Sequence, residues 1–151
     1  MKTLLIVYHT GGVKTAQMAE AVASGARAEG GVSVLLKRCA DAGPEDLLAA
    51  DGLILGTPEN FGYMSGMMKD FLERVFYACE GKVNGRPWAL FVSAGQDGNG
   101  AVNSVERIVT GLRLEKRTEP IIALKELTPE TLSRCGELGG AFAAGLAMGV
   151  F

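Results

Sequence analysis

In Thr3-Leu4-Leu5-Ile6-Val7-Tyr8-His9-Thr10-Gly11-Gly12-Val13-Lys14-Thr15 a short apolar run passes without a break into a glycine-containing turn. Leu4 to Val7 are apolar without alternation, the pattern of a strand buried on both faces. From Thr15 to Glu29 the apolar residues Met18, Ala19, Val22, Ala23 and Ala26 recur at spacings of three and four, which marks one face of an amphipathic helix. Gly30-Gly31 ends that helix, and Val32–Leu36 reads as a second strand. Strand, turn, helix and strand in this order make a right-handed crossover between parallel strands.

The same alternation continues to the end of the chain. A short helix, Pro44–Ala49, precedes a third strand, Gly52–Gly56, and Gly66–Cys79 carries Met67, Phe71, Leu72, Val75 and Phe76 along one helical side. Pro87–Val92 is a fourth strand, Ala101–Leu114 a helix, Pro120–Leu124 a fifth strand and Pro129–Met148 a closing helix. Such a pattern predicts one α/β domain, a parallel sheet covered by helices on both faces. Its length of 151 residues fits a single core, and 48% hydrophobic residues exclude a disordered chain.

Open parallel sheets bind ligands at the carboxyl ends of their strands, which directs attention to three loops. In the first, Thr10, Gly11, Gly12, Val13, Lys14 and Thr15 combine flexible backbone, hydroxyls, an ammonium group and a helix N-terminus, all suited to a phosphate. A plain capped helix start is the alternative. The spacing fits neither a nucleoside-triphosphate loop nor a dinucleotide fingerprint. In the second, Thr57, Pro58, Glu59, Asn60, Phe61, Gly62 and Tyr63 offer aromatic rings and amides to a flat heteroaromatic ring, unless Phe61 tucks into the core beneath Tyr63. The third, Ser93, Ala94, Gly95, Gln96, Asp97, Gly98, Asn99 and Gly100, is glycine-dense and lacks bulk, which suits close backbone approach to a ligand or simply a mobile surface loop.

With these residues in view, the chain resembles the flavodoxin-like superfamily, and within it the NAD(P)H-dependent FMN reductase and quinone reductase branch. Gly56-Thr57-Pro58-Glu59-Asn60-Phe61-Gly62-Tyr63-Met64-Ser65-Gly66, followed by Met68-Lys69-Asp70-Phe71-Leu72-Glu73-Arg74, is the most specific part of that likeness. The resemblance implies a three-layer sandwich with a five-stranded parallel sheet in order 2-1-3-4-5 and FMN at its carboxyl edge. Thr10 through Thr15 would wrap the FMN phosphate, Pro58 through Tyr63 would line one side of the isoalloxazine, and Ser93 through Gly98 the other. The family's phosphate loop commonly reads Ser/Thr-x-Ser/Thr-Gly-x-Thr. Here Gly12 and Val13 stand at its third and fourth places, which removes a hydroxyl and disfavours positive φ at residue 13.

The resemblance also implies chemistry: an FMN-dependent oxidoreductase taking hydride from NAD(P)H and passing it to a quinone, free flavin or other small acceptor. The pocket for the donor is then completed across a homo-oligomer interface. The flavin carries the redox step, so no side chain is assigned a catalytic role. The other reading is a flavodoxin-type electron carrier, but such carriers resemble one another in strong acidity, and the net charge here is only -2. That charge also argues against nucleic-acid or anionic-membrane partners. Glu59 and Asp97 read as solvated loop carboxylates, His9 as structural, and Trp88 as core or interface. The scattered Cys39, Cys79 and Cys135 read as small buried hydrophobes without metal-ligand spacing. They suit a reducing cytoplasm. No run approaches the length of a membrane span.

Overall fold

The central strands of this protein carry unbroken apolar runs, Leu4–Val7, Leu53–Leu55 and Trp88–Val92, so each can be buried only between two helical layers. The computed structural model describes residues Met1–Phe151. Its elements in chain order are β1 (Lys2–Tyr8), α1 (Lys14–Glu29), β2 (Val32–Arg38), a 3₁₀ turn at Cys39–Asp41, α2 (Pro44–Ala49), β3 (Gly52–Asn60), β4 (Tyr63–Met64), α3 (Gly66–Cys79), β5 (Pro87–Ala94), α4 (Asn99–Gly111), β6 (Glu115–Lys116), β7 (Ile121–Leu124) and α5 (Pro129–Met148).

The sheet runs β2-β1-β3-β5, with β6 and β7 sharing the far edge beside β5. Every pairing along it is parallel. With the principal strands counted in order this is the expected 2-1-3-4-5 topology of a flavodoxin-like sandwich. The expected single fifth strand is divided, however. Trp88 faces Lys116 and Phe91 faces Ile121, so the edge carries two more residues than β5 over the same span. Pro120, which has no N–H to donate, sits in that interruption. The predicted loop after the third strand is also corrected. Thr57 and Pro58 still pair with Val92 and Ser93 on β5, and Glu59 and Asn60 turn into an antiparallel hairpin with β4. The fourth helix starts two residues earlier than expected, at Asn99, and ends at Gly111.

Alternate residues of each strand face opposite layers. Leu5, Val7, Leu53, Leu55, Leu90 and Val92 meet α2, α3 and α4 in one core, while Leu4, Ile6, Ile54, Ala89 and Phe91 meet α1 and α5 in the other. Each such large side chain, fully buried, contributes about 1.5–3 kcal/mol. Trp88 lies in the first core and all three cysteines are buried. Two close approaches set the second layer. A Cβ on Gly139 of α5 would stand 1.9 Å from the Val22 carbonyl oxygen of α1, and one on Gly56 would stand 2.1 Å from the Phe91 ring. No helix is long and apolar enough to cross a membrane.

Candidate functional site

The carboxyl ends of β1, β3 and β5 carry the three predicted loops to one edge. At the phosphate end, Thr10 through Thr15 line a cleft of about 380 Å³ together with Pro58, Asn60 and Ser93. The N-cap of α1 is Val13, which offers no side-chain acceptor, so apart from Ala16, which Thr10 takes, the first-turn amides of α1 face this cleft with little competition. The Thr10 hydroxyl donates to the Gly12 carbonyl at 2.8 Å and accepts from the Ala16 amide at 3.3 Å. Thr15, 2% exposed, shares a 2.7 Å hydrogen bond with Ser93 of β5, which fixes the floor of the cleft across the sheet.

Two expectations about this loop change. Neither Gly11 nor Gly12 has a positive φ, and a Cβ at either would meet nothing within 4 Å. Their contribution is open space, not a special turn. Val13 sits at φ -115, so a β-branched residue is accommodated without strain. Lys14 turns its ammonium to the Lys125 carbonyl beyond β7, tying the loop to the far side of the sheet.

The ring end is a second cleft of about 470 Å³, lined by Glu59, Phe61, Gly62, Gly95, Gln96, Asp97 and Gly100. Phe61 and Gly62 form the two-residue tip of the β3–β4 hairpin at φ 55 and 70. Both central residues of such a turn need positive φ. For Phe61 that conformation is strained, by about 1–3 kcal/mol. Its side chain is fully exposed at 106%, and Tyr63 is 44% exposed, so the aromatic pair faces outward and the alternative of a core Phe61 is excluded.

The hairpin is anchored to α4. A Cβ on Gly100 would fall 1.9 Å from the Gly62 carbonyl oxygen, so only glycine fits at that helix position. The Glu59 carboxylate accepts from the Ala101 amide at 3.1 Å, and Ser104 Oγ accepts from the Met64 amide at 3.0 Å. Ser65 caps α3 through the Met68 amide, and its own amide donates to Thr57 Oγ1. Glu59 is therefore a helix cap and not the solvated carboxylate expected from sequence. Asp97 caps locally, accepting from the Asn99 amide.

Of the predicted site residues, Tyr63, Ala94 and Gly98 line neither cleft. Ala94 is in the core and Gly98 is the left-handed residue that starts α4. Gly100, the last residue of the glycine-rich third loop but not among the expected cofactor contacts, also lines the ring end. His9 donates its amide to the Gly56 carbonyl, and burial, with the Arg38 charge second, lowers its imidazole pKa. Burial pushes the thiols of Cys39 and Cys135 up to about 12 and about 11. Neither thiol is primed as a nucleophile.

An open parallel sheet with a hydroxyl- and amide-lined helix start beside an aromatic hairpin defines a flavodoxin-like flavin-binding domain. The family model described as NADPH-dependent FMN reductase matches residues 40–115. The chain belongs to that family. A protein named flavodoxin from Aquifex aeolicus is 39% identical over 74% of this chain and 60% of its own length. An NAD(P)H dehydrogenase (quinone) from Acidithiobacillus ferrooxidans is 35% identical over 62% of this chain and 57% of its own. The chain thus spans somewhat under two thirds of each of these relatives. The solved structure of an archaeal flavodoxin superposes with a TM-score of 0.84 at 21% identity, covering 95% of this chain and 98% of that one, which speaks for the fold.

The residues present fit the FMN of the family's description. A helix start whose N-cap Val13 offers no side-chain acceptor, two threonine hydroxyls and open space at two glycines suit a phosphate monoester. The adjacent cleft between hairpin and glycine loop is flanked by an exposed aromatic residue.

Proposed function

We propose that the protein is an FMN-dependent oxidoreductase that takes hydride from NADPH or NADH and passes reducing equivalents to a quinone, a free flavin or another small acceptor. In this reading Thr10, Thr15 and the first amides of α1 hold the phosphate, Pro58 through Gly62 flank one side of the ring, and Ser93 through Asp97 the other. FMN, when bound, supplies the hydride and electron chemistry. The chain's own residues do the rest. The hairpin and α4 hold the ring cleft in one shape, and the Thr15–Ser93 pair fixes the phosphate floor. No side chain is required to move a proton during direct hydride transfer.

The observation that carries the reading is the ring-end cleft itself. It holds about 470 Å³, the scale of a flat heteroaromatic ring, and the fully exposed Phe61 at its edge offers an apolar face against which a small donor or acceptor can rest. The relative named NAD(P)H dehydrogenase (quinone) supports the same reaction class. A second reading, an electron carrier docking to protein partners, is supported by the relative named flavodoxin, but a net charge of -2 gives little field to steer such docking. Anaerobic absorbance of the FMN-loaded protein on addition of NADPH, then NADH, separates the two. Bleaching of the flavin band well above the rate of free FMN is the expected result. A bound flavin that neither nucleotide reduces leaves the carrier.

A further inference from the structure

The two margins of the sheet differ. The margin beside β5 is divided, whereas β2 runs for seven residues in unbroken register with β1, from Val32 opposite Lys2 to Arg38 opposite Tyr8. It contains no proline and no bulge. β2 pairs with β1 alone, and none of its backbone groups bonds to a turn or loop. The alternate N–H and C=O groups that point away from β1 are therefore unpaired.

The side chains leave the same margin unfinished. Val34 and Leu36 pack on the core beneath α1 and Leu35 on the opposite core, yet all three are only half-buried. A further strand laid along β2 would cover them on both faces. The cations that could guard this edge are drawn aside. The Lys37 ammonium bonds the Asp46 carboxylate at 2.9 Å, and the Arg38 guanidinium lies over the Tyr8 ring, 5.7 Å from its centroid. From Val32 to Leu36 the strand bears no charge.

We propose that β2 is a docking edge for a second copy of this chain, joined antiparallel about a twofold axis at Leu35, so that two sheets become one. Full overlap sets Leu35 against its own image, Ser33 against Lys37 and Val32 against Arg38. The antiparallel sense follows from charge. Parallel addition would set Lys37 and Arg38 beside their own copies, like against like. Antiparallel addition carries them to the other chain's amino end, where Gly30 and Gly31 present no side chains and Arg27 and Glu29 contribute both signs. The occupant is a second copy because the edge complements itself: an uncharged centre meets an uncharged centre, and each cationic end meets an open one. The divided margin beside β5 leaves one open edge per molecule, so the assembly closes as a dimer. The carboxyl edges of the two sheets then point in opposite directions, and each flavin cleft proposed above stays within one chain.

The test is sedimentation velocity of the full chain from about 1 μM to 1 mM, with hydrogen exchange followed at both ends of that range. A strand pair of this size is expected to give a dimer with a Kd of about 10–100 μM. New protection should appear with rising concentration, concentrated at residues 32–38. Ser33 is exposed, so replacing it reads the interface and not the core, and circular dichroism checks the fold. Ser33→Lys sets a cation against Lys37 twice in each dimer and is expected to raise the Kd about tenfold, whereas Ser33→Glu should change it less than about twofold. A chain still monomeric at about 1 mM overturns the proposal. So do a dimer protected elsewhere, a dimer that Ser33→Lys leaves unchanged, and growth beyond the dimer. If Ser33→Lys does not fold, the protection pattern of the natural sequence decides alone.

Discussion

At the ring end of the cleft, two hydrogen bonds and a glycine-on-glycine approach tie the β3–β4 hairpin to α4. At the phosphate end, the N-cap Val13 of α1 offers no side-chain acceptor, and two glycines stand in open space. The hairpin wall of the ring end is held by bonds within the protein and is shaped before any ligand arrives. The phosphate end keeps donors in reserve, and a bound anion is their natural partner. Specificity for a flat ring needs fixed walls. Holding an anion needs unspent amides, and in the proposed reading these two demands fall to different loops lining two adjacent clefts.

The sharpest break in this contrast is at Gly100. Gly100→Ala forces the hairpin tip off α4, and a loss of about 3 kcal/mol is expected in urea unfolding, at the upper end for an overpacked site. The ligand should act next, and at the other end. FMN at about a hundred times its Kd adds about 2.7 kcal/mol to stability. Hydrogen exchange should show the gained protection at residues 10–16, with the hairpin amides little changed. If the protection gained lies mainly in the hairpin, the division between prebuilt and ligand-ordered ends is wrong.

Glu59→Ala removes the carboxylate from the α4 start. It should cost about 1 kcal/mol in the same unfolding assay, the scale of a lost cap. Gly12→Ala, by contrast, should leave the stability of the flavin-free protein within about 0.5 kcal/mol, because the new Cβ meets nothing. The smallest effect concerns His9. Its folded pKa lies below the ordinary 6.5, with burial the larger cause and Arg38 the smaller. The folded state then binds fewer protons than the unfolded one just below that pH. The stability tied to His9 is therefore fully present above about 6.5 and is lost as pH falls through that value toward the folded pKa. Arg38→Ala should raise the His9 pKa part of the way back, as followed by its ring proton shifts in NMR. No change would mean that burial acts alone.

Most of the fold was legible because it depends on local periodicity. Unbroken apolar runs such as Leu4–Val7 and Leu53–Leu55 exclude an exposed strand, and the three- and four-residue spacing along α1 and α3 leaves only a helix. The continuation of β3 through Thr57-Pro58-Glu59-Asn60 was hidden, since polar residues and a proline signal a loop when the partner strand is out of view. The division of the fifth strand was hidden too, because register is a property of two strands. At the site, residue types announced the clefts but not their construction. Glu59 finds its amide 42 positions away at Ala101, and the need for glycine at position 100 comes from a carbonyl at Gly62. Gly11 and Gly12 stood out in the sequence as turn-makers, whereas in the cleft it is their lack of a side chain that matters.

The divided edge beside β5 has a consequence for how these molecules behave when crowded. An unbroken outer strand is a template on which another chain can add its own strand. Here the two extra residues and Pro120 break the row of outward N–H and C=O groups. Lys116 and Arg117, paired with Glu106 and Glu115, place charges along the same margin. An incoming strand would find two residues to pair with, then a gap out of step, then four more. Sheet growth therefore stops at this side of the molecule, and the cost of that protection is a fifth strand divided into a pair of residues and a run of four.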